Sequence, residues 1–291
     1  MAKVGIVTDS NSGMTPGEAK RLGVGVVPMP FYIDGECFME NVDLPRKRFF
    51  ARQAAGAEIS SSTPAPLAVA KAWTKALKKY DEVLYIPMSS GLSSACGAAQ
   101  TLAQEDEFAG RVFVVDNGRV ATPQHRSVLD ALELIGEGLS AAEIRRLLEE
   151  QRNNFSIYIA VDNLRYLQKG GRISAATAKL GTILNMKPVL HFDTGTLDVY
   201  AKTRGKKRAR LAMLEAIQKE LAGAYSDAKQ RGEVYLLAAG SAEPAETADW
   251  LAQIKAAFPD MPVLYDDLPL SLSVHIGHGG LGVALARKIH G

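Results

Sequence analysis

Four hydroxyls crowd the segment 88–99, MSSGLSSACGAA: Ser89, Ser90, Ser93 and Ser94. The run before them, EVLYIP, is short, apolar and β-favouring, and the run after, LSSACGAAQTLAQE, is Ala-rich without proline. This pattern predicts a strand feeding a helix that begins near Leu92 or Ser93. The first N–H groups of a helix are unpaired and carry the positive end of its dipole, so hydroxyls gathered there make an anion site. The plain alternative is that these serines only cap the helix. A Walker-type phosphate cradle is excluded, because its lysine is missing. A second cluster, Ser60, Ser61 and Ser62, ends a short run before Thr63-Pro64, which opens another helix. If the strands before the two clusters are parallel, both turns lie on the sheet edge where open α/β folds bind ligands.

Two histidines near the end of the chain, His275 and His278, are three residues apart. A strand-to-turn position does not put them on one face, and no Cys or carboxylate stands beside them, so zinc is disfavoured. His275, placed at a strand end beside glycines, is set to reach into a cleft, or else to be a satisfied structural histidine. The string GHGGLG (277–282) fits GxGxxG, yet only nine residues follow it and no βαβ unit can be completed. Ser90 or Ser93, His275 and Asp9 can be written as a hydrolytic triad. The GxSxG elbow is absent, since the chain reads PMSSGLSS.

The elements that must position these groups alternate through the first half. The strand of KVGIVTDS ends in Thr8, Asp9 and Ser10, and Thr15 and Glu18 have capping-box spacing ahead of a helix with Pro16 at its first position. Residues from about 24 to 60 break the rhythm with three prolines and an Asp34-Gly35 turn, and read as an excursion off the main sheet. The strand RVFVVD, a helix over about 122–136, and a helix opened by the capping box Ser140–Glu143 follow. A boundary fits near Asn153. Beyond it come the strand FSIYIAV and a short helix capped by Asp162 that stops at Gly170-Gly171. Arg172 then stands after the break, and Ser174 opens the next helix. MKPVLHF and LDVYAK, joined by DTGT, read as a hairpin. A long helix (206–230), strand EVYLLAAG, helix 244–257, strand PVLYDD, strand LSVHI and a last helix from Gly279 complete an α+β half.

At 291 residues, 47% of them hydrophobic and 23% charged, the chain can build two ordinary cores. The net charge is +2, and the one basic run, KTRGKKRAR (202–210), lacks interleaved aromatics, so it reads as a solvated helix face and not as a nucleic-acid site. Cys37 and Cys96 offer neither a disulfide framework nor a CxxC metal pattern. No segment approaches 18 apolar residues and the N-terminus has no signal h-region, which implies a reduced cytoplasmic setting.

Five motifs in order, IVTDSNSGMT, SSSTPAP, IPMSSGLSSACGAA, LRYLQKGGRISAATAKLGTILNMKPVL and HIGHGGLGVA, resemble the DegV family over essentially the whole chain. These are bacterial fatty-acid-binding proteins that serve as the lipid-carrying subunit of fatty-acid kinase. The resemblance implies an N-terminal three-layer α/β domain with a mostly parallel sheet (1–152), a C-terminal α+β domain with a mixed sheet (153–291), and a ligand tunnel at their interface. It implies a substrate-binding subunit that is not catalytic alone, has no cofactor of its own, and presents a long-chain fatty acid to a separate kinase carrying ATP and Mg. The carboxylate-binding hydroxyls would be Ser61, Ser62, Ser90 and Ser93, and Arg172 and His275 would support the phosphotransfer encounter. A free-standing acyl-transfer or esterase-type enzyme built on the serine turns is the alternative. Three positions depart from the family pattern: Ser61 stands where Thr is usual, Thr63 where Gln is frequent, and His278 where Pro is frequent.

Overall fold

The computed structural model describes residues 2–173, 177, 186–193 and 195–290. Ser174, read from the sequence as a helix start, lies outside them. The chain forms two compact units, Met1–Asn153 with Pro269–Ser271 and Ile289–Gly291, and Asn154–Leu268 with Leu272–Lys288.

In the first unit β1 (Val4–Asp9), β2 (Gly25–Val27), β6 (Glu82–Ile86) and β7 (Val112–Val114) form a parallel sheet in the order β2-β1-β6-β7. Period-2 alternation sorts its side chains onto two faces. Val4, Ile6, Leu84 and Ile86 pack with α1 (Pro16–Leu22), α5 (Thr122–Gly136) and α6 (Ala141–Glu150). Val7, Val83, Tyr85 and Val112 pack with α3 (Pro66–Leu77) and α4 (Ala95–Leu102) around the fully buried Trp73. The result is three layers. The capping box of Ser140 and Glu143 is present in both directions, and Thr15 accepts the Glu18 N–H.

The excursion contains β3 (Pro30–Ile33), β4 (Glu36–Met39) and α2 (Arg46–Ala54). With β5 (Ile59–Ser61) the two strands make a separate antiparallel sheet, β4-β3-β5. The two serine clusters therefore do not end parallel neighbours of one sheet, and the condition for a shared edge is not met.

The second unit is a six-stranded mixed sheet built from β8 (Phe155–Ala160), β9 (Met186–Phe192), β10 (Asp198–Arg204), β11 (Val234–Gly240), β12 (Val263–Asp267) and β13 (Leu281–Arg287). Their order is β10-β9-β8-β13-β11-β12, with only β11 and β12 parallel. Its helices are α7 (Arg165–Gly170), α8 (Lys206–Ala222), α9 (Ser226–Gln230) and α10 (Pro244–Ala257), and α11 (Leu270–Ile276) has its first two residues in the first unit and the rest in the second. Met213, Ile217, Trp250 and Ile254 seal one sheet face over Leu236, Val283 and Leu285.

Four expectations fail here. LSVHI is helical, and the stretch after Gly279 is the strand β13, buried along nearly its whole length between β8 and β11. The long helix 206–230 is broken into α8 and α9. Asp162 does not cap α7; Asn163 accepts the Arg165 N–H instead, and Asp162 pairs with Lys187 at 3.0 Å. The basic run is an ion-paired face, with Lys206 and Arg210 bound to Glu246 and Asp249. Among the described residues no helix is long and apolar enough to cross a membrane, and no cluster of His, Cys, Asp or Glu is set to hold a metal.

Candidate functional site

The serine turn hangs on a buried carboxylate at the end of β1. Asp9 Oδ2 accepts the Met88 N–H (2.9 Å), and Oδ1 accepts the Asn11 N–H (3.0 Å) and Gln124 Nε2 (3.1 Å). Burial pushes its pKa up and outweighs these three bonds, each of which favours the charged form. Gln124 also donates to Thr8 Oγ1 and to the Ile86 carbonyl, tying the ends of β1 and β6 to α5. The next residue, Ser89, is buried; its N–H donates to the Arg119 carbonyl (2.8 Å), and its carbonyl accepts the N–H groups of Leu92 (3.1 Å) and Ser93 (3.2 Å). Arg119, fully buried, donates to Ser127 Oγ and lies 3.9 Å from Asp130.

The predicted serines differ in what they do. Ser90 serves an ion pair: its Oγ accepts from Arg152 (3.0 Å), and Arg152 meets Asp116 at 2.5 Å. Partial burial pushes the Asp116 pKa up, but its hydrogen bonds to Ser90 and Arg152 and the Arg152 charge hold it below its ordinary value. Ser93, half-buried, accepts the Ala95 N–H at 3.2 Å, a bond that leaves the hydroxyl proton to donate elsewhere. Helix α4 starts at Ala95, later than the sequence suggests, and its N-cap residue Ser94 makes no side-chain cap bond. In the other cluster, half-buried Ser61 pairs with Phe31 across β3, and exposed Ser62 donates its N–H to the Pro30 carbonyl (3.3 Å).

A second polar knot lies against Asn11. Glu40, buried, accepts the N–H groups of Leu270 and Ser271, both at 2.7 Å, and the Ser271 hydroxyl donates to Asn11 Oδ1 at 2.8 Å. Burial raises the Glu40 pKa against those bonds and the charge of Arg46. The sequence marks Asp9 only by its strand-end position and as the acid of a triad that the structure does not form, and it does not mark Glu40 or Arg119 at all. The available signal is the polar run TDSNS directly after an apolar strand.

Arg172 and His275 are brought together in the second unit. His275 sits on the last turn of α11 and not at a strand end, and it packs so closely on Gly170 that a methyl group there would overlap its imidazole. Gly171 supplies the left-handed residue, φ 68°, that stops α7, and the Arg172 guanidinium donates back to the Gly170 carbonyl. Burial, and then the Arg172 charge, lower the His275 pKa to about 4, so its ring is neutral at pH 7. His278 is turned to Glu243 at 3.0 Å. The two histidines thus have different partners, and the His278–Glu243 pair is exposed. The turn itself is stitched to Ser241, whose Oγ donates to the Gly277 carbonyl (2.6 Å) and accepts the Gly280 N–H (2.9 Å). Asp9 has backbone and amide partners where a hydrolytic triad would need it to orient an imidazole.

A family model described as that of an uncharacterised protein of the DegV family matches residues 3–288. The DegV domain-containing protein of Deinococcus radiodurans is 34% identical over 283 residues, 97% of this chain and 98% of its own. Protein DegV of Bacillus subtilis is 27% identical over 290 residues, 98% of this chain and 99% of its own. Among solved structures, a DegV family protein from Thermus thermophilus, described by its fatty acid binding, superposes with a TM-score of 0.86 at 30% identity, over 98% of this chain and 99% of that one. A stearic acid-binding protein from Eubacterium ventriosum shares the fold, with a TM-score of 0.87 at 20% identity over 99% of both chains.

Proposed function

The chain belongs to the DegV family, and on that premise we propose that it binds a long-chain fatty acid and presents the carboxylate to a separate ATP-dependent kinase subunit in the cytoplasm. The observation that carries this reading is the likeness, over nearly its whole length, to the Thermus protein described by its fatty acid binding. Ser61 and Ser93 hold the carboxylate, assisted by Ser62, and Ser90 holds the turn through Arg152 and Asp116. Hydroxyl bonds to a carboxylate are charge-assisted and contribute about 1.5–3 kcal/mol each. An acyl chain of about sixteen carbons adds roughly 0.8 kcal/mol per buried CH₂, so apolar burial dominates affinity.

The reaction served is attack of a carboxylate oxygen on the γ-phosphorus of ATP, giving acyl phosphate and ADP. Two negative groups approach one another in that step. Arg172 offers a fork for two phosphate oxygens, and neutral His275 offers a hydrogen bond without a competing charge. ATP and Mg stand on the kinase, and this chain needs no cofactor.

Native mass spectrometry of the purified protein should find a C14–C18 acid retained, and a bare chain with an empty solvent extract overturns the reading. Ser93→Ala should weaken fatty-acid binding by about 1–3 kcal/mol while Ser90→Ala leaves it within about twofold. Arg172→Ala should keep affinity within a few-fold and lower acyl-phosphate formation with the kinase by at least about tenfold. Parallel loss of binding and turnover in that variant assigns Arg172 to the pocket instead.

A further inference from the structure

Between Glu40 and the serine turn runs an unbroken chain of short polar contacts, all inside the first unit. Glu40 fixes the backbone of Ser271 (2.7 Å), the Ser271 hydroxyl donates to Asn11 Oδ1 (2.8 Å), and Asn11 Nδ2 reaches Met88 Sδ (3.0 Å). The Asn11 backbone N–H shares Asp9 Oδ1 with Gln124, and the other oxygen of that carboxylate holds the Met88 N–H. Met88 is the residue before Ser89, whose carbonyl receives Leu92 and Ser93. Each of Asp9, Asn11, Glu40, Met88, Ser89 and Ser271 is at most 6% exposed. Water therefore offers no ready substitute for a lost bond, and polar chains of this kind act as a unit.

We propose that Glu40 and Ser271 are positioning residues for Ser93, acting through Asn11 and Met88, so that a segment more than 170 residues downstream of the serine turn sets its geometry. Neither residue touches the ligand. The proposal rests on the reading of Ser93 as a carboxylate-holding hydroxyl. It also explains why Pro269–Ser271 belongs to the first unit while the residues flanking it belong to the second.

The test compares Ser271→Ala, which deletes one hydroxyl, with Glu40→Gln, which keeps shape and one acceptor. Amide hydrogen exchange at Leu92 and Ser93 is followed beside fatty-acid titrations with palmitate. Both variants should speed exchange of these two amides by at least about fivefold, with strands β1 and β6 unchanged. Palmitate affinity should fall roughly three- to tenfold, and the loss should vanish when Ser93 is already Ala, because residues acting through one another are not additive. Wild-type exchange at Leu92 and Ser93 in both variants overturns the proposal, as does acceleration spread evenly over the first unit. If the wild-type protein binds no palmitate, the functional reading fails, while the exchange data still decide the positioning claim.

Discussion

At the serine turn, main-chain N–H groups are held by acceptors delivered from elsewhere, Asp9 taking Met88 and the Arg119 carbonyl taking Ser89, and by one of the turn's own, Ser93 Oγ, which takes Ala95. At the glycine turn, residues 277–280, the bonds to Ser241 are joined by a second constraint, the absence of side chains. A methyl at Gly277 would overlap the Tyr166 ring, one at Gly279 the Asp162 carboxylate, and one at Gly280 the Ile276 side chain. The first loop is defined by bonds that a substitution can delete, and the second, beside its bonds to Ser241, by space that a substitution can fill. The first should therefore suffer most from truncation and the second from added volume.

The largest effect should come from Asp9→Ala. It leaves the Met88 and Asn11 N–H groups short of a buried acceptor, at about 1–3 kcal/mol for each group, while the Gln124 amide keeps Thr8 Oγ1 and the Ile86 carbonyl. A loss of about 4 kcal/mol in denaturant unfolding is expected, and a loss under about 1 kcal/mol would mean that the carboxylate does not organise the turn. Next comes Gly277→Ala, where φ of 80° strains any Cβ and the Tyr166 ring occupies the space it needs. About 3 kcal/mol is expected from strain plus overpacking, and a Tyr166→Ala background should recover the overpacking part. Without that recovery, the ring is not what excludes a side chain.

The smallest effect is in pH. His275 stays neutral in the folded protein down to about pH 4, whereas in the unfolded chain it protonates near 6.5. Its contribution is complete above pH 6.5 and is lost as pH falls from there toward 4. Between pH 7 and 5 the wild-type protein should lose on the order of 2 kcal/mol more than His275→Gln, read as the difference between two unfolding series. Equal pH slopes would show that the imidazole is not sealed against Gly170.

The sequence made most of the first unit legible because its strands are short apolar runs bounded by polar turns, and the Ser140–Glu143 box and the Gly171 stop are local devices. Where the outcome depends on distant partners, local pattern misleads. LSLSVHI alternates apolar and polar residues like a strand, yet Glu40, 230 residues away from Leu270, binds its first N–H groups and the segment turns helical. The stretch from Gly279 reads as a helix because a strand buried on both faces, as LGVALAR is, loses its period-2 signature. Ser90 and Ser93 are indistinguishable by type and spacing. Only the Arg152–Asp116 pair separates them, and it joins residues 36 positions apart.

The first unit is not an N-terminal fragment in any physical sense. Ile289 lies in the same core cluster as Val4, Ile6 and Leu84, and Leu270 and Ser271 satisfy the Glu40 carboxylate. During synthesis, a nascent chain that has only reached residue 153 holds a buried-type glutamate without its donors and a core without one of its side chains. Its parallel sheet, with long loops to close, belongs to the slow-forming class. Residues 4–153 thus leave the ribosome well before the residues that complete their core, and until residue 289 emerges they remain a partly open substrate for chaperones and proteases.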